Sequence, residues 1–189
     1  MATTEPVRDK KQLQQLAGYW LKRCNLRNYL LIVLGACTAL RVSDLLRLKW
    51  EDVYNFDCGA FRSHVTLTES KTGKTKTIAL NKQAIKALQM YFPHRKGDYI
   101  FTNNRKTKSA LSRVQAWRII KAAAEGIGAI GCIAFHSLRK SFGYHAWKSG
   151  VAPAMLMDIY NHSSFEITRR YLGITQDDRD AVYLSMALF

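Results

Sequence analysis

What is scarce in these 189 residues narrows the field first. There are only three prolines, and no Pro-, Gly- or Ser-rich tract divides the chain, so a single folded unit is expected. The longest apolar run, residues 30 to 40, is interrupted by Gly35, Cys37 and Thr38 and is too short to cross a bilayer, which takes roughly 20 apolar residues. The N-terminus, MATTEPVRDKK, has no apolar core behind its charges and so does not read as a secretory leader; the cytoplasm is the expected compartment. Cys24, Cys37, Cys58 and Cys132 form no CxxC pair, and no histidine stands at ligand spacing from them. That excludes a zinc knot and a disulfide framework, and reduced, mostly buried thiols with no metal are expected.

Acid is scarce too. Fourteen Asp and Glu stand against 29 Lys and Arg, a net charge of +15, so the surface attracts polyanions and nucleic acid is the first partner to consider. The imbalance is concentrated: between Tyr99 and Met157 the acidic residue Glu125 faces Arg105, Lys106, Lys108, Arg113, Arg118, Lys121, Arg139, Lys140 and Lys148. A generic solvated surface would intersperse the two signs, so this half is expected to face phosphates. With 48% hydrophobic residues the chain has enough apolar material for a packed core.

Apolar spacing predicts helices over 9–23 and 26–40, then a short helix capped by Ser43 and running through Leu48. Residues 64–68 and 76–80 alternate and are rich in β-branched side chains, which predicts a hairpin with a basic tip, Glu69-Ser70-Lys71-Thr72-Gly73-Lys74. Asn81 caps a helix through Tyr91, and residues 99–101 form a short strand at best. Later helices are expected over 109–125, 137–149, 153–160 and 163–171, the last opened by a Ser163/Glu166 capping box.

Three stretches carry chemistry. His136-Ser137-Leu138-Arg139 puts an imidazole and a guanidinium on one face of a helix start, a plausible phosphate site that is weak by itself. Arg41, in Thr38-Ala39-Leu40-Arg41-Val42-Ser43-Asp44-Leu45, either pairs with Asp44 three residues on or is functional. The third, from Asn161-His162-Ser163-Ser164 through Tyr171, joins a histidine to a tyrosine nine residues later. Tyr160, Tyr183, His64, His94 and His145 lie outside these patterns and are assigned no chemistry.

Taken in order, with the hairpin segment between the first and second, these stretches resemble the tyrosine recombinases, also called the phage integrase family, over residues 10 to 175. The resemblance implies a mainly α fold with a small antiparallel β-sheet (α+β), the tyrosine recombinase catalytic domain. It also implies one active site on double-stranded DNA made by Arg41, Lys71, His136, Arg139, His162 and Tyr171, with Asp44 orienting Arg41. Two arginines grip the phosphate oxygens bidentately without losing charge. The phenol attacks phosphorus to give a 3′-phosphotyrosine, and a lysine protonates the leaving 5′-oxygen. Because the bond energy is kept, no cofactor is implied. Lys71 is the choice of acid, although Lys74 and Lys76 share its hairpin. Lys74, Arg105, Lys106, Lys108, Arg113 and Lys140 are the expected DNA-facing cations.

The sequence departs from the family pattern at Asn161, where glycine is usual, and at Lys140, where histidine is common. Only a short stretch precedes the first helix, so the separate N-terminal domain with which such enzymes enclose the duplex is expected to be absent. Residues 176–189 are an apolar-rich end that either docks on a neighbouring subunit or packs on its own core. A homo-oligomer on DNA follows, with accessory DNA-binding proteins possible and no membrane. Type IB topoisomerase-like relaxation and a non-catalytic DNA-binding relic are the alternative readings.

Overall fold

The computed structural model describes residues 4–103 and 109–186. Side-chain caps open the first two helices: Asp9 accepts from the Lys11 N–H before α1 (Lys10–Leu21), and Asn25 from the Asn28 N–H before α2 (Leu26–Cys37). Ala39 then adopts a left-handed conformation, φ 54°, which turns the chain into α3 (Val42–Leu46) and α4 (Trp50–Val53). Two antiparallel pairs follow, β1 (Tyr54–Asn55) with β2 (Ala60–Phe61) and β3 (His64–Thr68) with β4 (Thr75–Ala79), the second in register from His64↔Ala79 to Thr68↔Thr75. Asn81 caps α5 (Lys82–Tyr91), and a reciprocal Ser112–Gln115 capping box opens α6 (Arg113–Gly126). The chain continues through α7 (Phe135–Lys148), α8 (Pro153–Tyr160), α9 (Phe165–Leu172) and α10 (Gln176–Ser185). This is the mainly α architecture with small antiparallel sheets that the sequence predicts.

The packing follows from α2, whose sequence LRNYLLIVLGAC leaves little to give to water, so it is covered by α1, α5 and α7. Gly35 sets its approach to α7: a Cβ there would stand 3.0 Å from both Leu138 and Phe135. The main core gathers buried side chains from α1 to α7, while a second, smaller cluster of Ala39, Leu156, Tyr160 and Leu172 holds α8 and α9 against α7. Gly143 makes that contact close, since a Cβ would lie 2.3 Å from the Tyr160 hydroxyl. Arg8 donates to the Gly173 carbonyl at the end of α9, 3.1 Å, and the buried Val7 donates its N–H to Ser141 Oγ on α7, 2.8 Å.

Several expected boundaries move. The third helix starts at Val42 with Arg41 as its N-cap, not at Ser43. β4 begins one residue early, and residues 99–101 form no strand, Tyr99 making only an isolated bridge to Lys49. α6 begins at Arg113 instead of 109, because Ser112 and Gln115 satisfy the first free N–H groups there. α7 starts two residues early, and the Ser163/Glu166 box gives way to an extended Ser164 at the N-cap of α9. The β1–β2 pair was not expected. The thiols are free, but Cys24, Cys58 and Cys132 are exposed and Cys37 is partly so, which corrects the expectation of mostly buried cysteines. None of the described helices is long and apolar enough to cross a membrane.

Candidate active site

Arg139 sits one turn into α7, 1% exposed, a guanidinium carried into the interior by its helix. It is held from both sides: Nη1 donates to the Ala39 carbonyl, and Nη2 to the Tyr160 carbonyl at 3.0 Å. Tyr160 returns the contact, its hydroxyl donating to the Arg139 carbonyl at 2.7 Å. The left-handed turn at Ala39 thus aims a carbonyl at one arginine and places the other, Arg41, two residues on. Arginine has five N–H donors, and Nε of Arg139 is buried without a partner. Burial and the nearby charge of Arg41 lower the Arg139 pKa, yet an arginine stays cationic at neutral pH.

Tyr171, half-buried on α9, lies over this arginine, its ring centre 5.8 Å from the Arg139 Cζ. Two imidazoles flank it edge-on: His162 at 4.4 Å and His136 at 4.9 Å between ring centres. His162 is fixed by stacking on Tyr160 (5.0 Å, 17°) and by a 3.0 Å hydrogen bond between Nδ1 and Thr168 Oγ1. The helix start of α7, the corner between α8 and α9, and α9 itself therefore bring His136, Arg139, His162 and Tyr171 together within one chain.

Arg41 does not pair with Asp44. Its Nη1 lies 2.8 Å from Glu69 Oε1, whereas Asp44 Oδ1 accepts from the Ser70 N–H (2.9 Å) and Ser70 Oγ (2.6 Å) and lies 3.8 Å from Arg47. Asp44 acts on the turn after β3, through Ser70. Glu69 is the residue the sequence reading missed: it is 1% exposed and also accepts from Thr72 Oγ1 at 2.8 Å and Asn161 Nδ2 at 3.0 Å. Burial alone would raise its pKa, but the bonds from Asn161, Arg41 and Thr72 outweigh burial and hold it at about 2. The one signal available was an acidic residue at the head of a basic turn.

The hairpin lysines diverge. Lys71 is exposed in the turn, Lys74 Nζ donates to Asn161 Oδ1 at 3.1 Å, and Lys76 Nζ donates to the Ile159 carbonyl at the end of α8. Burial and then the charges of Arg139 and Arg41 lower the Lys76 pKa to about 8. Lys140 was expected to face DNA, but it is 6% exposed and turned inward, its Nζ donating to the Thr4 carbonyl. Arg113 is exposed at the start of α6, and Arg105, Lys106 and Lys108 lie outside the described residues. Among the described residues no His, Cys, Asp and Glu group is placed to hold a metal ion.

Burial, and then the cations around the pocket, depress both histidines. His162 is pushed down to about 4 by burial and then Arg139 and Arg41; His136 to about 4 by burial and then Lys140, Arg139 and Arg41, although its exposed position at the rim lets solvent moderate the effect. In the unfolded chain both would take a proton near pH 6.5. The unfolded state therefore binds more protons between about pH 6.5 and 4, and stability is lost as pH falls through that window. Melting temperatures measured downward from neutral pH should fall, and should fall less steeply in a His136→Gln/His162→Gln double variant; parallel slopes would show that these rings are not the cause.

The pocket thus offers two guanidinium groups, neutral imidazoles and a phenol on one basic face, a set suited to a phosphodiester and to attack on its phosphorus. The comparisons agree with that chemistry. A profile described as the phage integrase family matches residues 7–177. The chain is 38% identical over 184 residues to the "Probable integrase/recombinase YoeC" of Bacillus subtilis (strain 168), covering 97% of each chain. It is 32% identical over 153 residues to "Tyrosine recombinase XerA" of Pyrococcus furiosus, covering 79% of this chain and 51% of the relative, so it spans about half of that protein. Its fold superposes on a crystal structure of XerA recombinase with a TM-score of 0.79 at 21% identity, covering 99% of this chain and 68% of the other.

Proposed function

Because the chain belongs to the phage integrase family, matched over residues 7–177, we propose that it is a site-specific DNA strand transferase that works through Tyr171. The observation that carries the reading is the position of the phenol, over the Arg139 guanidinium and between His136 and His162 of its own chain. Arg41 and Arg139 hold the non-bridging oxygens of the scissile phosphate. Tyr171 gives up its proton to the neutral imidazole of His136 and its oxygen bonds to phosphorus, while the bond to the 5′-oxygen breaks. Lys71 protonates that oxygen, and His162 donates a hydrogen bond to the phosphate. The 5′-hydroxyl of another strand then reverses the step, so the phosphoester bond is exchanged without an energy source. Glu69 holds Arg41 in place, and Asp44 holds Ser70.

A net charge of +15 supports double-stranded DNA as the partner. Lys74, Arg113, Arg105, Lys106 and Lys108 remain the cations proposed to meet it, and Lys140 is withdrawn from that set. The reaction on DNA fits a cytoplasmic protein. Nothing in the named relatives favours relaxation without recombination or a non-catalytic relic. The test is a covalent adduct: incubated with nicked suicide duplexes, the protein should form a denaturant-resistant complex with DNA, and its absence across a library of sites would count against the reading.

The chain is proposed to act as a homo-oligomer on DNA, with α10 as the exchanged element. That helix buries none of its residues and leaves Val182, Tyr183 and Leu184, with Met186 at its C-cap, at 60–86% exposure. Its first turn carries Asp177 and Asp178 on an otherwise basic molecule. Asp178 pairs with Lys148 of its own chain at 2.5 Å, and a second copy covers the exposed apolar side chains. The mass in solution should rise with concentration for the full chain and stay at one protomer after deletion of residues 176–189; unchanged self-association in the truncated chain would remove α10 from the interface.

A further inference from the structure

The backbone at position 161 admits few residues. Asn161 closes α8 in the left-handed region, φ 56° and ψ 47°, where only glycine, asparagine and aspartate sit at little cost. Glycine would meet that requirement and do nothing else. Asparagine adds an amide with a donor and an acceptor end, and both ends are used. Nδ2 donates to Glu69 Oε2 (3.0 Å) and Thr72 Oγ1 (3.2 Å), and Oδ1 accepts from Lys74 Nζ (3.1 Å).

All three bonds land on the β3–β4 turn, and each residue they reach is coupled to the pocket. Glu69 is the partner of Arg41, Thr72 directly follows Lys71 in the turn, and Lys74 closes the turn ahead of β4. The residue after Asn161 is His162. A two-stranded ribbon is marginal on its own, and in β3 and β4 Val65 is the one buried side chain, so the turn depends on outside ties for its position. Asp44 ties Ser70 to α3, on the Arg41 side. Asn161 ties the turn to the half of the pocket that carries His162 and Tyr171.

We propose that Asn161 is a positioning residue, fastening the β3–β4 turn to the His162 corner and, through Glu69, setting the Arg41 guanidinium, so that turn, arginine and histidine meet the phosphate as one rigid unit. The inference rests on the reading of this pocket as a DNA-cleaving site. Asn161 touches no reacting atom, so its effect is on geometry.

Asn161→Gly separates the amide from the backbone, since glycine accepts the left-handed conformation. In single-turnover reactions on a suicide duplex this variant should cleave roughly 10- to 100-fold more slowly, the range expected when reacting groups are held less well. DNA affinity should stay near that of the unmodified protein, the melting temperature should fall modestly because the buried Glu69 loses a donor, and hydrogen exchange of the amides of residues 70–74 should quicken. Cleavage at the unmodified rate, a rate loss matched by an equal loss of DNA affinity, or unchanged exchange in the turn would each overturn the proposal. If the unmodified protein forms no adduct, the DNA-cleaving reading fails by itself, and the exchange comparison still decides whether Asn161 holds the turn.

Discussion

Tyr171→Phe is expected to abolish covalent attachment to DNA, a loss of at least about 10⁴-fold, because without the phenol oxygen no nucleophile remains to form the phosphotyrosine. The substitution should leave the rest of the pocket in place. The edge-on contacts of Tyr171 with His162 and His136 and its packing beside Tyr160 involve the ring, which phenylalanine keeps. Affinity for duplex DNA and melting temperature should therefore change little. The check is a denaturing gel of labelled suicide duplex beside a binding titration. Tyr160 is not a substitute: it is fully buried, its hydroxyl is bound to the Arg139 carbonyl, and burial holds its pKa far above the usual phenol range. An adduct that survives in Tyr171→Phe would move the nucleophile elsewhere.

The second large effect concerns the proton given to the leaving 5′-oxygen. Lys76 has the lowered pKa, about 8, but its ammonium is bound to the Ile159 carbonyl and serves as a tether between β4 and α8. Lys71 is exposed in the turn, where it can close over a bound duplex. Lys71→Ala should slow cleavage of ordinary DNA by about 10²- to 10⁴-fold. It should regain most of that rate on DNA whose 5′-bridging oxygen is replaced by sulfur, since a thiol of pKa about 8.5 leaves without help from an acid. Lys76→Ala should slow both substrates alike and lower the melting temperature. Sulfur rescue of Lys76→Ala in place of Lys71→Ala would transfer the acid to Lys76.

The pocket was legible in the sequence where a role depends on residue type within one element or its flanks. His136 and Arg139 share a helix start, and Arg41 follows the turn at the end of α2. His162 precedes one short helix and Tyr171 lies in its last turn. The same local reasoning failed for Asp44, because a spacing of three residues does not exclude a partner far off in sequence, and the true partner, Glu69, lies 28 residues downstream of Arg41. Lys140 looked like one more surface cation beside Arg139, yet its helix turns it toward the N-terminal segment, and that segment's path cannot be read from composition. Helix starts were misplaced wherever two cap candidates competed, as at Ser163 and Ser164, since the choice belongs to the tertiary path entering the helix. The fold class was more secure than its boundaries because it rests on the summed periodicity of long segments, above all the apolar α2.

The left-handed corner at the end of α8 also limits how this protein can diverge. With glycine, asparagine and aspartate the only inexpensive occupants, aspartate would set a second carboxylate against Glu69, and glycine would leave that buried acid one donor short. Positions 69 and 161, separated by 92 residues, thus form a single mutational unit, and a lineage that alters one is under pressure to alter the other.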